Sequence, residues 1–293
     1  MTAPETVSLP SSPTRTVRPA AVIDIGTSSI RMAIAEIQGG GGVRILETLS
    51  QAVNLGKDTF TRGSISKTTI EDCARVLKSY RRMLKEYQIE QPDQIRCVAT
   101  SAVREAANRL AFVDRIYIAT GFQVEPLDEA EVSRITFLGI QPFLASDPTL
   151  AGARAVVTEI GGGSTELLVV KGGDVVYSHT YRLGSLRLRE TLEAFRAPTL
   201  KVRNLMESHI HRTVEEVAEH VSQDGPTEMI AMGGDVRFAV KHLQPEWDGK
   251  CLARLSVKQL EDFTNKTLNL SDDRLVRRYR ISFPEAETLG PAL

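Results

Sequence analysis

The sequence predicts an α/β protein made of two related halves that face one another across a cleft. Two observations carry this prediction. The first is Ala155–Val170, AVVTEIGGGSTELLVV, in which two apolar, β-branched runs flank Glu159, three glycines, Ser164, Thr165 and Glu166. Such runs predict strands, and glycines between them permit a tight turn. The second is Ala21–Ile37, AVIDIGTSSIRMAIAEI, which repeats the layout. Asp24-Ile25-Gly26-Thr27-Ser28-Ser29 aligns with Glu159-Ile160-Gly161-Gly162-Gly163-Ser164. Two such hairpins far apart in one chain argue for a duplicated fold.

The turns also carry chemistry. A Gly-Gly-Gly-Ser-Thr turn exposes backbone N–H groups that no side chain shields, and it can cradle an anionic oxygen, most often of a phosphate. Glu159 and Glu166 would repel that anion, so a divalent cation between carboxylates and phosphate is expected.

The chain has 293 residues, enough for two domains with a core each. A net charge of −1 with 25% charged residues gives no overall field that would draw nucleic acid or an anionic membrane, and neither is expected as a partner. Cys73, Cys97 and Cys251 lie far apart without metal-site spacing, which fits a reducing compartment. His209 and His211 are two apart and would point to different helix faces, so they make no metal pair. No apolar run reaches transmembrane length, and the expected location is cytoplasmic.

In chain order, residues Met1–Pro19 are rich in Ser, Thr and Pro and predict a disordered tail. A third strand over Val43–Gln51 follows the first hairpin after a run of glycines, and Asn54–Lys57 and Thr61–Gly63 are expected as loop. Ile70, Cys73, Ala74, Leu77, Tyr80 and Leu84 recur at helical spacing and predict a helix from Ser66 or Lys67 to Tyr87. Ile95–Thr100 is a short strand that runs into Ser101-Ala102-Val103-Arg104. An arginine in a first helical turn suits anion capture; pairing with Glu105 or Asp114 is the alternative. A helix to Thr120 ends at Gly121, a strand spans Phe122–Leu127, and a helix over Glu129–Leu138 crosses between the halves. After the second hairpin come a strand at Val175–His179, a helix within Tyr181–Glu193 whose N-terminus would face the cleft, and a long amphipathic helix over Lys201–Val221. Glu228–Met232 is a strand leading into Gly233-Gly234, where glycines let a ligand approach the backbone. Ser256–Thr267 and Asp272–Arg280 are the last predicted helices.

The blocks DIGTSSIRMAI, ATSAVREAAN, EIGGGSTELLVV, RLGSLRL and AMGGDVR, in this order, resemble the exopolyphosphatase/guanosine pentaphosphate phosphohydrolase (Ppx/GppA) family. That family is a branch of the superfamily of sugar kinases, heat-shock chaperones and actin. The resemblance runs from Ala20 to Leu293 and implies two actin-like (ribonuclease-H-like) domains, 20–137 and 138–293, with the active site between them. It implies hydrolysis of the terminal phosphoanhydride of inorganic polyphosphate, or of the 5′ phosphate of the stringent-response nucleotide pppGpp, with a divalent cation, usually Mg2+. The implied partners are polyphosphate or guanosine penta/tetraphosphate, and the family often forms homodimers.

By position, Gly26, Thr27, Ser28 and Ser29 match the first phosphate hairpin, Arg104 the phosphate-binding arginine, and Gly161, Gly162, Gly163, Ser164 and Thr165 the second hairpin. Gly233 and Gly234 match a second-domain glycine pair. Asp24 and Glu159 match the metal ligands, and Glu131 and Glu166 are the candidate catalytic carboxylates. The chain also departs from the pattern. The family carries a Glu-Glu-Ala-Arg-like segment whose second glutamate is catalytic; here Glu131-Val132-Ser133-Arg134 puts Val132 at that position. Glu159 replaces the usual aspartate and Asp235 the usual threonine, and the family pattern continues past Leu293 into a further helix and strand. These departures define a rival expectation, a binding sensor for polyphosphate or nucleotide that no longer hydrolyses it. An ATP-dependent sugar kinase is a third reading on the same fold.

Overall fold

A computed structural model of the chain describes residues 17–150, 152–194, 199–221 and 227–293. The first half is a five-stranded sheet. Strands β1 (Val17–Ile25), β2 (Ser29–Gln38) and β3 (Val43–Ala52) form an antiparallel meander, and β4 (Ile95–Ala99) and β5 (Val124–Pro126) add in parallel, giving the order β3-β2-β1-β4-β5. Alternation dictates which face is covered. Ala21, Ile23 and Ile25 of β1 and Ile30, Met32 and Ile34 of β2 are buried. They meet Cys73, Leu77 and Leu84 of helix α2 (Lys67–Glu86) in one core. Ser66 caps α2 by accepting from the Thr69 N–H at 3.2 Å, and the Tyr80 hydroxyl donates to the Ile30 carbonyl at 2.9 Å, fixing helix to sheet.

Between these parts lie α1 (Leu55–Arg62), α3 (Ser101–Glu105) and α4 (Arg109–Thr120). The stretches expected as loop, Asn54–Lys57 and Thr61–Gly63, are therefore the two ends of one helix, closed by Gly63 at φ 73°. Burial of Leu55 and Thr59 organises that turn, where local sequence reads as polar linker. Val17–Pro19, expected in the tail, already pair with Glu36–Gln38 as part of β1; residues 1–16 of that expectation lie outside the described residues.

The crossover helix α5 (Glu129–Ser146) is capped by Asp128 and runs two turns past the expected end, through Pro142. Ile140 and Leu144 are buried against the second sheet, and that packing outweighs the local break. The expected division at 137/138 thus falls inside one continuous helix.

The second half repeats the first. Strands β6 (Arg154–Ile160), β7 (Thr165–Lys171) and β8 (Asp174–Tyr181) form the meander, followed by helices α6 (Ser185–Ala194) and α7 (Thr199–His220). Strand β9 (Thr227–Met232) lies parallel to β6, giving β8-β7-β6-β9. Leu168 and Val170 of β7 face α5, while Leu167 and Val169 face Val217 and Val221 at the end of α7. A strand covered on both faces reads as a continuous apolar run, which is the LLVV of the sequence. Helices α8 (Gly234–Leu243), α9 (Val257–Leu268), α10 (Asp272–Tyr279) and α11 (Phe283–Ala292) complete the half. The last was not anticipated; Ser282 and Glu285 form its capping box, and Ala286 and Leu289 bury its inner face.

Candidate active site

The two hairpins share their turn hydrogen bond and their register. In each, a glycine N–H donates to a serine carbonyl across the turn, Gly26 to Ser29 at 3.0 Å and Gly161 to Ser164 at 2.9 Å. The strand registers agree as well: Asp24 lies opposite Arg31, and Glu159 lies opposite Glu166. The two turns meet across a cleft of about 430 Å3 between the halves.

Both predicted phosphate turns line this cleft. Gly26, Thr27, Ser28 and Ser29 face Gly161, Gly162, Gly163 and Ser164, with Arg104 from α3 and Gly233 and Gly234 from the start of α8. Gly233 adopts φ 123°, a conformation that favours glycine. Arg104 does not pair with Glu105 or Asp114; its Nη1 donates to the Leu127 carbonyl at 3.1 Å. Glu105 is held instead by Arg182 and Arg187 of the other half, each at 2.5 Å.

The glycines have a second purpose, close approach. A Cβ on Gly162 would collide with Thr27 of the first half, and one on Gly163 would stand 2.6 Å from Phe60 and also strike Ser101. A Cβ on Gly184 would lie 2.5 Å from the Gly163 backbone. The N-terminus of α6 lines the cleft at Ser185 and Leu186, as expected, and its N–H groups brace the hairpin: Ser185 N–H donates to the Gly161 carbonyl at 3.1 Å and Arg187 N–H to the Gly162 carbonyl at 2.9 Å.

Two predicted residues stay outside. Glu131 is bound by Arg134 at 2.7 Å and Arg96 at 3.4 Å on the outer side of α5, and those arginines hold its carboxyl below the usual range. Val132, one residue and about 100° further round the helix, faces the cleft in its place. The Thr165 hydroxyl donates to the Leu183 carbonyl and braces the hairpin. Glu166 does line the cleft, only 4% exposed, with both oxygens engaged: it accepts from the Thr180 hydroxyl and from Ser164 Oγ at 3.2 Å. Burial pushes its carboxyl up, partly offset by those hydroxyls and by Arg104.

Asp24 and Glu159 suit a cation. Oδ1 of Asp24 is buried without a hydrogen-bond partner, burial raises its pKa, and the Glu159 charge raises it further against the lowering by Arg31. Among the described residues Glu159 accepts a single long contact, from the Thr136 hydroxyl at 3.3 Å. Among the described residues no three acids, histidines or cysteines gather into a closed cage. Magnesium at phosphate sites is commonly held by one or two carboxylates plus phosphate oxygens and water, and the donor set fits that mode.

Sequence reasoning missed Arg31, Arg237, Phe238 and Glu285, all of which line the cleft. For Arg31 a signal existed: the alignment that pairs Asp24 with Glu159 also pairs Arg31 with Glu166. Glu285 lies on the unforeseen α11 and had none.

Known proteins match this arrangement. The model of the Ppx/GppA phosphatase family matches residues 21–282. Exopolyphosphatase 2 of Mycobacterium tuberculosis is 33% identical over 189 residues, 62% of this chain and 57% of that protein. The bifunctional 3-dehydroquinate synthase/phosphatase of Fusobacterium nucleatum is 30% identical over 175 residues, 58% of this chain and 26% of that protein. The matched stretch thus spans little more than half of the first relative and about a quarter of the second. Among solved structures, an exopolyphosphatase from Cytophaga hutchinsonii superimposes with a TM-score of 0.80 at 22% identity, covering 94% of this chain and 88% of that one. An Aquifex aeolicus Ppx/GppA family member gives 0.71 at 23%, covering 94% and 87%. At that identity the structures speak for the shared fold. With a family model matched across most of its length and both hairpins in place, the chain belongs to the Ppx/GppA phosphatase family.

Proposed function

We propose that this protein hydrolyses the terminal phosphoanhydride of inorganic polyphosphate or of pppGpp, with magnesium, in the cytoplasm. The observation that carries the reading is the facing pair of glycine turns with Arg104 and the Asp24–Glu159 carboxylates in one cleft. Polyphosphate is favoured by the exopolyphosphatase relatives; pppGpp rests on the family alone.

The residues divide the work by charge. Backbone N–H groups of the Gly26 and Gly161 turns, with the Arg104 guanidinium, bind the oxygens of the terminal phosphate and stabilise the charge that shifts onto them during transfer. Asp24 and Glu159 would hold the cation, which when bound supplies neutralisation of the phosphate oxygens. Close packing of Thr27 on Gly162 holds the two turns against one another at the cleft. Homodimerisation is carried over from the family, and neither nucleic acid nor membrane is a proposed partner. Among the described residues no helix is long and apolar enough to cross a membrane.

The test is release of orthophosphate from polyphosphate and from pppGpp by the purified protein with magnesium. Turnover abolished by Arg104→Ala supports the reading; no release from either compound sinks it. The second reading, a sensor that binds without turnover, is favoured by Val132 lining the cleft where a carboxylate is expected. Tight binding of polyphosphate with no phosphate released would establish it.

A further inference from the structure

Hydrolysis needs a group to take the proton of the attacking water, and Val132 cannot. Among the described residues, five carboxylates line the cleft: Asp24, Glu159, Glu166, Asp235 and Glu285. Asp24 and Glu159 are the pair suited to the cation. Glu166 has both oxygens occupied by the hydroxyls of Thr180 and Ser164. Glu285 caps α11, its Oε2 accepting from the Ser282 N–H at 2.8 Å and the Ser282 hydroxyl at 2.7 Å. Glu131 is outside the cleft and tied to Arg96 and Arg134.

Asp235 remains. It stands in the first turn of α8 beside the Gly233–Gly234 entry, and among the described residues only its own backbone N–H approaches the carboxylate. The charged groups around it are Arg31 from β2 of the opposite half, Arg237 from its own helix and Glu285 from α11. We propose that Asp235 is the general base of this protein, a carboxylate supplied from α8 in place of the one absent from α5. The proposal rests on the hydrolase reading. In the step, a lone pair of the water oxygen forms a bond to the terminal phosphorus while the bridging P–O bond breaks. The electron pair of that bond stays on the leaving phosphate oxygen. The water proton passes to Asp235 and from there to solvent, so that orthophosphate and a shortened chain result.

The surroundings suit the task. Burial pushes the Asp235 carboxyl up to about 6; Arg31 and Arg237 oppose the rise and Glu285 adds to it. A base with a pKa just below neutral is deprotonated at pH 7 yet still accepts a proton readily.

The experiment uses inorganic tripolyphosphate and magnesium with the intact chain, Asp235→Asn, and Asp235→Asn combined with Val132→Glu. The wild type should show an acid limb in kcat/KM near pH 6. In Asp235→Asn, kcat should fall roughly 100- to 10,000-fold with KM within about threefold and the acid limb gone. Val132→Glu should then recover at least tenfold of the loss, because it restores a carboxylate from the α5 side. An active wild type without an acid limb near 6 overturns the assignment whether or not the variant folds. So does an Asp235→Asn enzyme of near-normal kcat, or one whose loss lies in KM; in these cases the hydrolase reading stands. A wild type inactive on tripolyphosphate, long-chain polyphosphate and pppGpp overturns both.

Discussion

A carboxylate held away from water lowers the stability of the fold in its charged form, and Asp235 makes that cost measurable. Its native pKa of about 6 lies above the ordinary aspartate value of 3.8. Between those values the folded protein holds more of a proton than the unfolded chain, so stability falls as pH rises through the window and levels off above it. Asp235→Asn removes the penalty without changing shape. The variant should therefore melt higher than the wild type at pH 8, by roughly 2–4 °C for each kcal/mol of penalty removed, and the difference should vanish near pH 4. Equal melting temperatures at pH 8 would mean that the side chain is better solvated than its surroundings imply. A stabilising substitution that removes activity is the trade expected of a functional carboxylate. At this scale the sequence was only partly readable. It presents Glu131 and Val132 as neighbours, and only the rotation of α5 decides which of them meets the cleft. Arg31, by contrast, was accessible in principle, since duplication fixes its equivalence to Glu166.

The hairpin β6–β7 shows how an element can satisfy two demands with one composition. Its glycines were legible as an anion-binding turn, but the sequence alone does not reveal that Thr27, Ser101 and Phe60 of the other half press on them. Gly163→Ala would put a methyl group 3.1 Å from Ser101 Cβ and 2.6 Å from Phe60. Overpacking of this kind costs about 1–3 kcal/mol, and relief requires α1 or α3 to move away from the hairpin. Thermal unfolding should show the loss, and KM for tripolyphosphate should rise because Arg104 moves with α3. Gly40→Ala, in open space within the β2–β3 loop, should change neither. Other elements were legible where periodicity decided the matter: both meanders, α2 and the crossover all follow from apolar spacing. The α1 and α11 helices were not, because each is short and draws its stability from burial rather than from pattern. Leu55 packs into the first core, and Leu289 packs beside Leu275.

Across the whole molecule, the two halves are tied together by Arg187, and this tie should set how readily the cleft holds its ligand. Arg187 belongs to α6 of the second half, and its side chain is 14% exposed. Its Nε donates to the Gly163 carbonyl at 2.6 Å, its Nη2 reaches Glu105 Oε1 at 2.5 Å, and its guanidinium lies 4.0 Å from the centre of the Phe60 ring. Glu105 and Phe60 both belong to the first half, and Glu105 directly follows Arg104. One planar cation thus fixes the back of a phosphate turn to the helix that carries the phosphate arginine. A point charge cannot reproduce that combination of fork and stacking. Arg187→Lys should therefore behave like Arg187→Met, with KM for tripolyphosphate raised about tenfold and kcat changed much less, since neither variant touches the reacting atoms. In a double-mutant cycle on unfolding free energy, Arg187→Met and Glu105→Gln should be coupled by about 1–3 kcal/mol. Full activity in Arg187→Lys, or additive losses in the cycle, would show that the halves are held by the surrounding apolar contacts of α1 and α6 instead. Because Arg187 is shielded, its coupling should persist at about 0.5 M salt, whereas the coupling of a more exposed pair such as Arg44–Glu36 should be largely screened there.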